Sequence, residues 1–64
     1  MKIEFRTSGA AFEDEYANAI DNKLIKEREV IRILHCIIFD IEIEDLDHGP
    51  IMDINGNKIG SWEM

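Results

Sequence analysis

An Asn-Gly pair, Asn55-Gly56, lies near the C-terminus between two short segments of alternating apolar and polar residues. This arrangement is the strongest short-range indication of a β-hairpin, because Asn and Gly both tolerate the positive φ angles of a tight turn. A two-residue turn would pair Met52 with Ile59, whereas a three-residue turn with Gly56 in the left-handed region would shift this register. The C-terminal segment is therefore predicted to form two antiparallel strands.

A third strand is predicted at the N-terminus, where residues 2–6 alternate between polar and apolar types. Ile3 and Phe5 fall on one face of this segment, as expected for a strand with one buried face. Residues 7–9, Thr-Ser-Gly, then interrupt the alternation. The N-terminal strand is predicted to join the C-terminal hairpin in a three-stranded antiparallel sheet.

From about Ala10 the apolar residues recur at intervals of three and four, which predicts one long amphipathic helix. The polar stretch after Ile20 makes Asn22 a candidate break in that helix. The segment 39–44 alternates strictly and could instead form a strand, because β-branched residues favour that state. The helical period continues into Ile41, and we therefore favour the helix. The residues predicted to face the sheet are Phe12, Tyr16, Ala19, Ile20, Val30, Ile31, Leu34, Ile37, Ile38 and Ile41.

The helix also carries a second apolar side that a small sheet cannot cover. A chain of 64 residues buries only about 60% of its unfolded surface, and folds of this size commonly need disulfides, metals or oligomerisation. The single cysteine excludes an intrachain disulfide, and one cysteine with two histidines cannot complete a Cys/His zinc site. We therefore expect a homodimer whose interface contains Ile33, Cys36, Phe39 and Ile43.

The formal net charge of −7 disfavours direct binding to nucleic acid or to anionic membranes. No segment has the ~20 consecutive apolar residues of a membrane span, and residues 1–6 do not resemble a signal peptide. A cytoplasmic protein is expected, and a partner other than a second copy should present a basic surface. The predicted contact residues are Asp40, Glu42, Glu44, Asp45 and Asp47, with Trp62 as a possible aromatic anchor.

The sequence contains no pattern that indicates catalysis. His35 and Cys36 would point about 100° apart on a helix and cannot form a nucleophile–base pair without a third element. The segment 53–64 has Lys58 and Met64 at its sixth and twelfth positions, where a calcium loop requires glycine and glutamate. Glu44 and His48 could contact one divalent cation if they lay on a helix, but two ligands do not make a selective site. We expect neither enzymatic activity nor a cofactor.

Three blocks of the sequence resemble those of a protein family: residues 11–14, Ala-Phe-Glu-Asp, residues 29–34, Glu-Val-Ile-Arg-Ile-Leu, and residues 49–60, which end in Asp-Ile-Asn-Gly-Asn-Lys-Ile-Gly. The family comprises very short, mostly uncharacterised proteins encoded by bacteriophages and prophages, and the resemblance spans nearly the whole chain. It implies a context of infection. Small acidic phage proteins often bind and block a host protein, including components of antiviral defence.

The sequence thus predicts a single α+β domain over residues 1–64, with the order β-α-β-β, one long helix on a three-stranded antiparallel sheet, and a homodimeric assembly. The expected function is noncatalytic binding of a host protein in the host cytosol, most concretely inhibition of an antiviral defence system. Two alternatives remain open: a structural or regulatory phage accessory protein without an inhibitory role, and a divalent-cation binder that uses the acidic segment.

Overall fold

The computed structural model describes all 64 residues, which form one helix and a three-stranded sheet. Strand β1 comprises Lys2–Phe5, helix α1 Ala19–Glu42, strand β2 His48–Met52 and strand β3 Lys58–Glu63. Both strand pairs are antiparallel, and β3 lies between β1 and β2. The predicted α+β class and the β-α-β-β order are therefore confirmed.

The hairpin between β2 and β3 closes with a three-residue turn. The N–H of Asp53 donates to the carbonyl of Asn57 (2.9 Å), the N–H of Gly56 donates to the carbonyl of Asp53 (3.0 Å), and Gly56 has a φ of 85°. The Asp53 carboxylate also accepts the backbone N–H groups of Asn55 and Asn57, each at 2.9 Å, and such contacts stabilise a turn. The two-residue turn is wrong, and the three-residue alternative is confirmed.

The longer turn changes the register of the hairpin. Met52 pairs with Lys58 rather than with Ile59, and the ladder is irregular between Ile51 and Met52. The extra residue in β3 shifts the alternation of its side chains, as in a β-bulge. Ile59 and Trp62 are therefore both buried although they are three residues apart.

Gly60 allows β1 to pack closely beside β3. Phe5 and Ile51 both lie opposite Gly60, so the three residues share the sheet face that packs against the core. A Cβ atom on Gly60 would lie 2.6 Å from the Cα of Phe5 and would overlap the carbonyl oxygen of Glu4. Only glycine fits at this position without moving the β1 backbone.

Helix α1 begins at Ala19 rather than near Ala10. The side chain of Asn18 caps the helix by accepting a backbone N–H from its first turn, at 2.8 Å. Asn22 lies in the first turn of the helix, and its side-chain oxygen accepts the N–H of Asp14 at 2.8 Å. Asn22 therefore fastens the preceding loop to the helix, and the predicted break at this residue is wrong.

The loop between β1 and α1 supplies the most deeply buried side chain. Phe12 is 0% exposed, and it enters the core from a turn in which its N–H donates to the carbonyl of Gly9 at 3.0 Å. The prediction that Phe12 lies on the helix is therefore wrong. The core comprises Ala11, Phe12, Ile33, Ile37, Ile51, Ile59 and Trp62, with Phe5, Val30 and Ile41 partly buried against it.

The side of α1 that faces the core agrees only in part with the predicted one: Ile37 is buried, and Val30 and Ile41 are partly buried, as predicted. Ile33 is 2% exposed and Ile37 is 4% exposed, so these two residues lie at the centre of the buried face. The prediction that Ile33 belongs to a dimer interface is wrong, because Ile33 packs within its own chain. Several residues predicted to face the sheet are instead exposed: Tyr16, Ile20, Ile31, Leu34 and Ile38.

Helix α1 continues through Glu42, so the first part of the segment 39–44 is helical and the strand interpretation is wrong. The chain then reverses direction over a short connection. Asp45 has a φ of 54°, and the N–H of Leu46 donates to the carbonyl of Asp40 at 3.0 Å. A non-glycine residue with positive φ is uncommon, and aspartate is one of the residues that tolerate it best.

Candidate interaction surfaces

Carboxylates surround the C-terminal end of α1, where the structure places the whole predicted acidic set. No basic residue lies in the last helical turn. The helix dipole puts a partial negative charge at this end, which disfavours carboxylates in the last turn. We call this surface the acidic end; it comprises Asp40, which is half-buried, and Glu42, Glu44, Asp45 and Asp47, which are exposed.

Within the acidic end, only Asp47 has a side-chain partner. The Nδ1 atom of His48 lies 2.6 Å from the Asp47 carboxylate, and this hydrogen bond holds the pKa of Asp47 below its usual value. Both side chains are largely exposed, so water screens the contact. Glu44 lies beyond the helix and His48 lies in β2, so the helical spacing proposed for a cation site does not occur. No group of three or more His, Cys, Asp or Glu side chains could hold a metal ion.

Trp62 does not lie on a binding surface. Its side chain is 2% exposed and belongs to the core, so the prediction that it anchors a partner is wrong. Trp62 lies opposite Gly49, where a Cβ atom would be 3.1 Å from the indole Nε1. The Nε1 atom is buried and has no hydrogen-bond partner. Trp62 therefore stabilises the fold, and the absence of a side chain on Gly49 makes room for its ring.

A partly buried ion pair connects α1 to the hairpin. The Arg32 guanidinium makes two contacts with the Glu29 carboxylate, one of them 3.2 Å long, and it also donates to the carbonyl of Met52 at 2.9 Å. The N–H of Ile54 donates to Glu29 Oε2 at 2.8 Å. The hydrogen bond with Glu29 raises the pKa of Arg32 against the lowering effect of burial. We call this arrangement the Glu29–Arg32 clasp.

The sequence analysis did not predict the clasp. Its only trace in the sequence is a pair of opposite charges three residues apart, which also occurs on fully exposed helices. The side chain of Glu29 is 4% exposed and that of Arg32 is 34% exposed, although nothing in the local sequence distinguishes them from neighbouring charges. The contacts with Met52 and Ile54 span 20 and 25 residues, and only the tertiary fold brings these groups together.

The most extended apolar surface lies along the exposed side of α1. With about 100° of rotation per residue, its members fall within a sector of about 80°. Cys36, Phe39 and Ile43, which the sequence analysis assigned to a dimer interface, are also exposed but lie on a different side of the helix. We call the extended surface the apolar stripe; it comprises Ile20, Leu24, Ile31, Leu34 and Ile38, which are 39–73% exposed.

The outer face of the sheet carries a shallow depression, but it offers no activated nucleophile. Ser61 and His48 both border this face, yet no hydrogen bond joins them. An unactivated serine is a weak nucleophile because its proton has no acceptor. The nearby charges compensate one another, as in the contact between Lys2 and Glu4 at 3.3 Å.

Comparison with known proteins assigns no function to this chain, so a functional proposal has to be based on its surfaces. No family model, curated protein or solved structure matches the chain. Helix α1 is not apolar enough to cross a membrane. The acidic end and the apolar stripe are the two surfaces whose composition is least expected for a small domain exposed to water.

Proposed function

We propose that this protein is a noncatalytic binding domain whose acidic end contacts a basic surface of a host protein. In its most concrete form, the protein is phage-encoded and inhibits a component of bacterial antiviral defence. The resemblance of residues 11–14, 29–34 and 49–60 to short phage proteins supports this context. The placement of five carboxylates at one end of the fold supports the mode of binding.

The electrostatics of the acidic end are the main support for this proposal. Carboxylates at the C-terminal end of a helix are repelled by the helix dipole and by one another, and a basic residue in the last turn would relieve this repulsion. The chain has no such residue there, and the only side-chain contact is that between Asp47 and His48. A cationic partner surface would remove the unfavourable interactions and accelerate association over distances of about 10 Å.

A pull-down from bacterial lysate with the tagged wild-type protein tests the proposal, followed by binding kinetics with the purified target. The double variant Glu42→Gln/Glu44→Gln removes two charges from the acidic end. We expect association to slow by about tenfold at low salt and to depend less on ionic strength, with dissociation little changed. For a target in a defence pathway, expressing the wild-type protein should raise the plating efficiency of a phage that the pathway restricts.

The matched control is Glu13→Gln/Glu15→Gln, which changes the net charge equally in the loop before α1. Both glutamates are exposed, and the one ion pair that would be lost, between Glu13 and Lys26, is long at 3.8 Å. Equal effects of the two double variants would show that total charge matters rather than the acidic end. Recovery of no host protein above background would contradict host-protein binding and leave the accessory role as the better description.

A further inference from the structure

The apolar stripe has no partner within the chain, although it runs along most of the longest element of the fold. From Ile20 to Ile38 it extends about 27 Å at 1.5 Å per residue. Glu27 is the one charged residue within the stripe, and an exposed apolar patch of this extent marks an interaction site. We propose that a second copy of the chain covers the apolar stripe, with the two α1 helices packed antiparallel about a two-fold axis near residue 29.

The spacing of the stripe is that of a helix–helix seam. Leu24, Ile31 and Ile38 are seven residues apart, and Ile20 and Leu34 each lie four residues before the next of them. Apolar residues alternating at intervals of three and four are the a and d positions of a coiled coil, which insert between the side chains of a facing helix. The stripe therefore presents the pattern that an identical helix can fill.

The area available is sufficient for a modest dimer. At exposures of 39–73%, the five stripe residues and the flanking aliphatic stems offer on the order of 600 Å² per copy, or about 1,200 Å² in all. This is the lower limit of the range for stable protein–protein interfaces, so we expect a weak dimer. The seven buried core residues all come from one chain, so we expect a folded monomer in equilibrium with the dimer.

Charge determines the orientation of the two helices. Glu27 occupies the one a/d position in the stripe that is not apolar, and a parallel dimer in register would place the two Glu27 carboxylates against each other. An antiparallel arrangement with its axis near residue 29 instead places Glu27 of one copy level with Ile31 of the other, about one helical turn from the second Glu27 and within side-chain reach of the second Arg28. Arg28 forms no ion pair within its own chain. The same arrangement places Ile20 near Ile38 of the other copy.

The test compares two variants with matched exposure on the same helix. Ile31 is 54% exposed within the stripe and Phe39 is 51% exposed outside it. By sedimentation equilibrium, Ile31→Glu should raise the dissociation constant by about 100-fold or more, because the dimer would bury unpaired carboxylates. Phe39→Glu should leave it within about threefold. Circular dichroism should show that both variants remain folded, since each side chain is already half in water.

Cysteine cross-linking tests the orientation. In a Cys36→Ser background, Leu24→Cys and Leu34→Cys chains should form a disulfide readily when mixed, and much less when each is oxidised alone. Any of three results in solution would overturn the proposal: a wild-type monomer at about 100 µM, dissociation by Phe39→Glu rather than by Ile31→Glu, or cross-linking of Leu24→Cys mainly to itself. If the wild-type protein is a monomer and binds neutral phosphatidylcholine vesicles through the stripe, the stripe is a membrane-binding surface. This result would also exclude the dimer.

Discussion

Removal of the cation from the Glu29–Arg32 clasp is the most informative perturbation of the fold. Arg32→Met keeps most of the side-chain volume and deletes the guanidinium, which leaves a carboxylate that is 4% exposed with the N–H of Ile54 as its remaining partner. The variant also frees the carbonyl of Met52 from its side-chain donor. A buried carboxylate without a cation cannot recover the hydration that it lost on folding.

Substitutions of Arg32 and of Glu29 should lower the free energy of unfolding by different amounts. Breaking a fully buried ion pair costs about 3–5 kcal/mol, and because Arg32 is partly exposed we expect Arg32→Met to cost about 2–3 kcal/mol. Glu29→Gln retains an oxygen acceptor for Ile54 and leaves a guanidinium whose side chain is 34% exposed and can reach water. Its cost should be about 1–2 kcal/mol. The double variant should cost less than the sum of the single variants, with a coupling of about 1–3 kcal/mol.

Urea denaturation followed by tryptophan fluorescence measures these values, because Trp62 is buried in the native core and becomes exposed on unfolding. The free energy of unfolding of a 64-residue domain is about 3–10 kcal/mol, so Arg32→Met should be measured in a stabilising osmolyte that keeps the native state populated. All proteins must be compared at one concentration, since dimerisation adds to apparent stability. Lys23→Met is the matched control, because it breaks an exposed ion pair with Glu27 on the same helix and should cost under about 0.5 kcal/mol.

Arg32→Met and Glu29→Gln are expected to differ in their cost to folding stability, and this difference can be measured. A cost for Arg32→Met that is equal to or smaller than that of Glu29→Gln would show that the Glu29 carboxylate is not desolvated in the native state. A coupling near zero would show that the two side chains act independently. Either result would remove the clasp as the contact that fixes α1 against the hairpin.

Three further predictions concern single positions. Asp45→Gly should stabilise the protein by about 0.5–1 kcal/mol in urea denaturation, because glycine adopts the positive φ at the end of α1 without steric cost; a destabilised variant would mean that the Asp45 side chain has a role not visible in its contacts. Gly60→Ala should destabilise by about 2 kcal/mol or more, because the added Cβ would meet the Phe5 backbone, and an unchanged midpoint would contradict the close approach of β1. Hydrogen bonds, chiefly from the Asn57 N–H, lower the pKa of Asp53, so its contribution to stability is complete above the unfolded pKa near 4 and is lost as the pH falls through the folded value. The thermal midpoint should therefore fall more steeply below pH 4 in the wild type than in Asp53→Asn, and parallel curves would refute this account of the turn.

Local sequence determined the elements and their order. The alternation of residues 2–6 predicted β1, the Asn55-Gly56 pair predicted the hairpin, and the helical period into Ile41 correctly outweighed the alternation of the segment 39–44. These features depend on contacts between residues close in sequence, and their patterns of period two and period 3.6 are visible without a tertiary structure. The sequence did not decide between a two-residue and a three-residue turn, because the turn length depends on which backbone N–H groups donate to the Asp53 carboxylate.

Only the tertiary structure decided which side of α1 is buried. The helix is apolar on more than one side, so periodicity alone could not distinguish Ile33, which lies in the core, from Ile31, which lies in the exposed stripe. The choice depends on contacts distant in sequence: Phe12 fills the core from a loop, the bulge in β3 buries both Ile59 and Trp62, and the clasp joins Glu29 to Ile54 across 25 residues. Rotating the helix to bury the stripe would leave the Glu29 carboxylate without its hairpin partner, and the free energy of these long-range contacts therefore fixes the orientation.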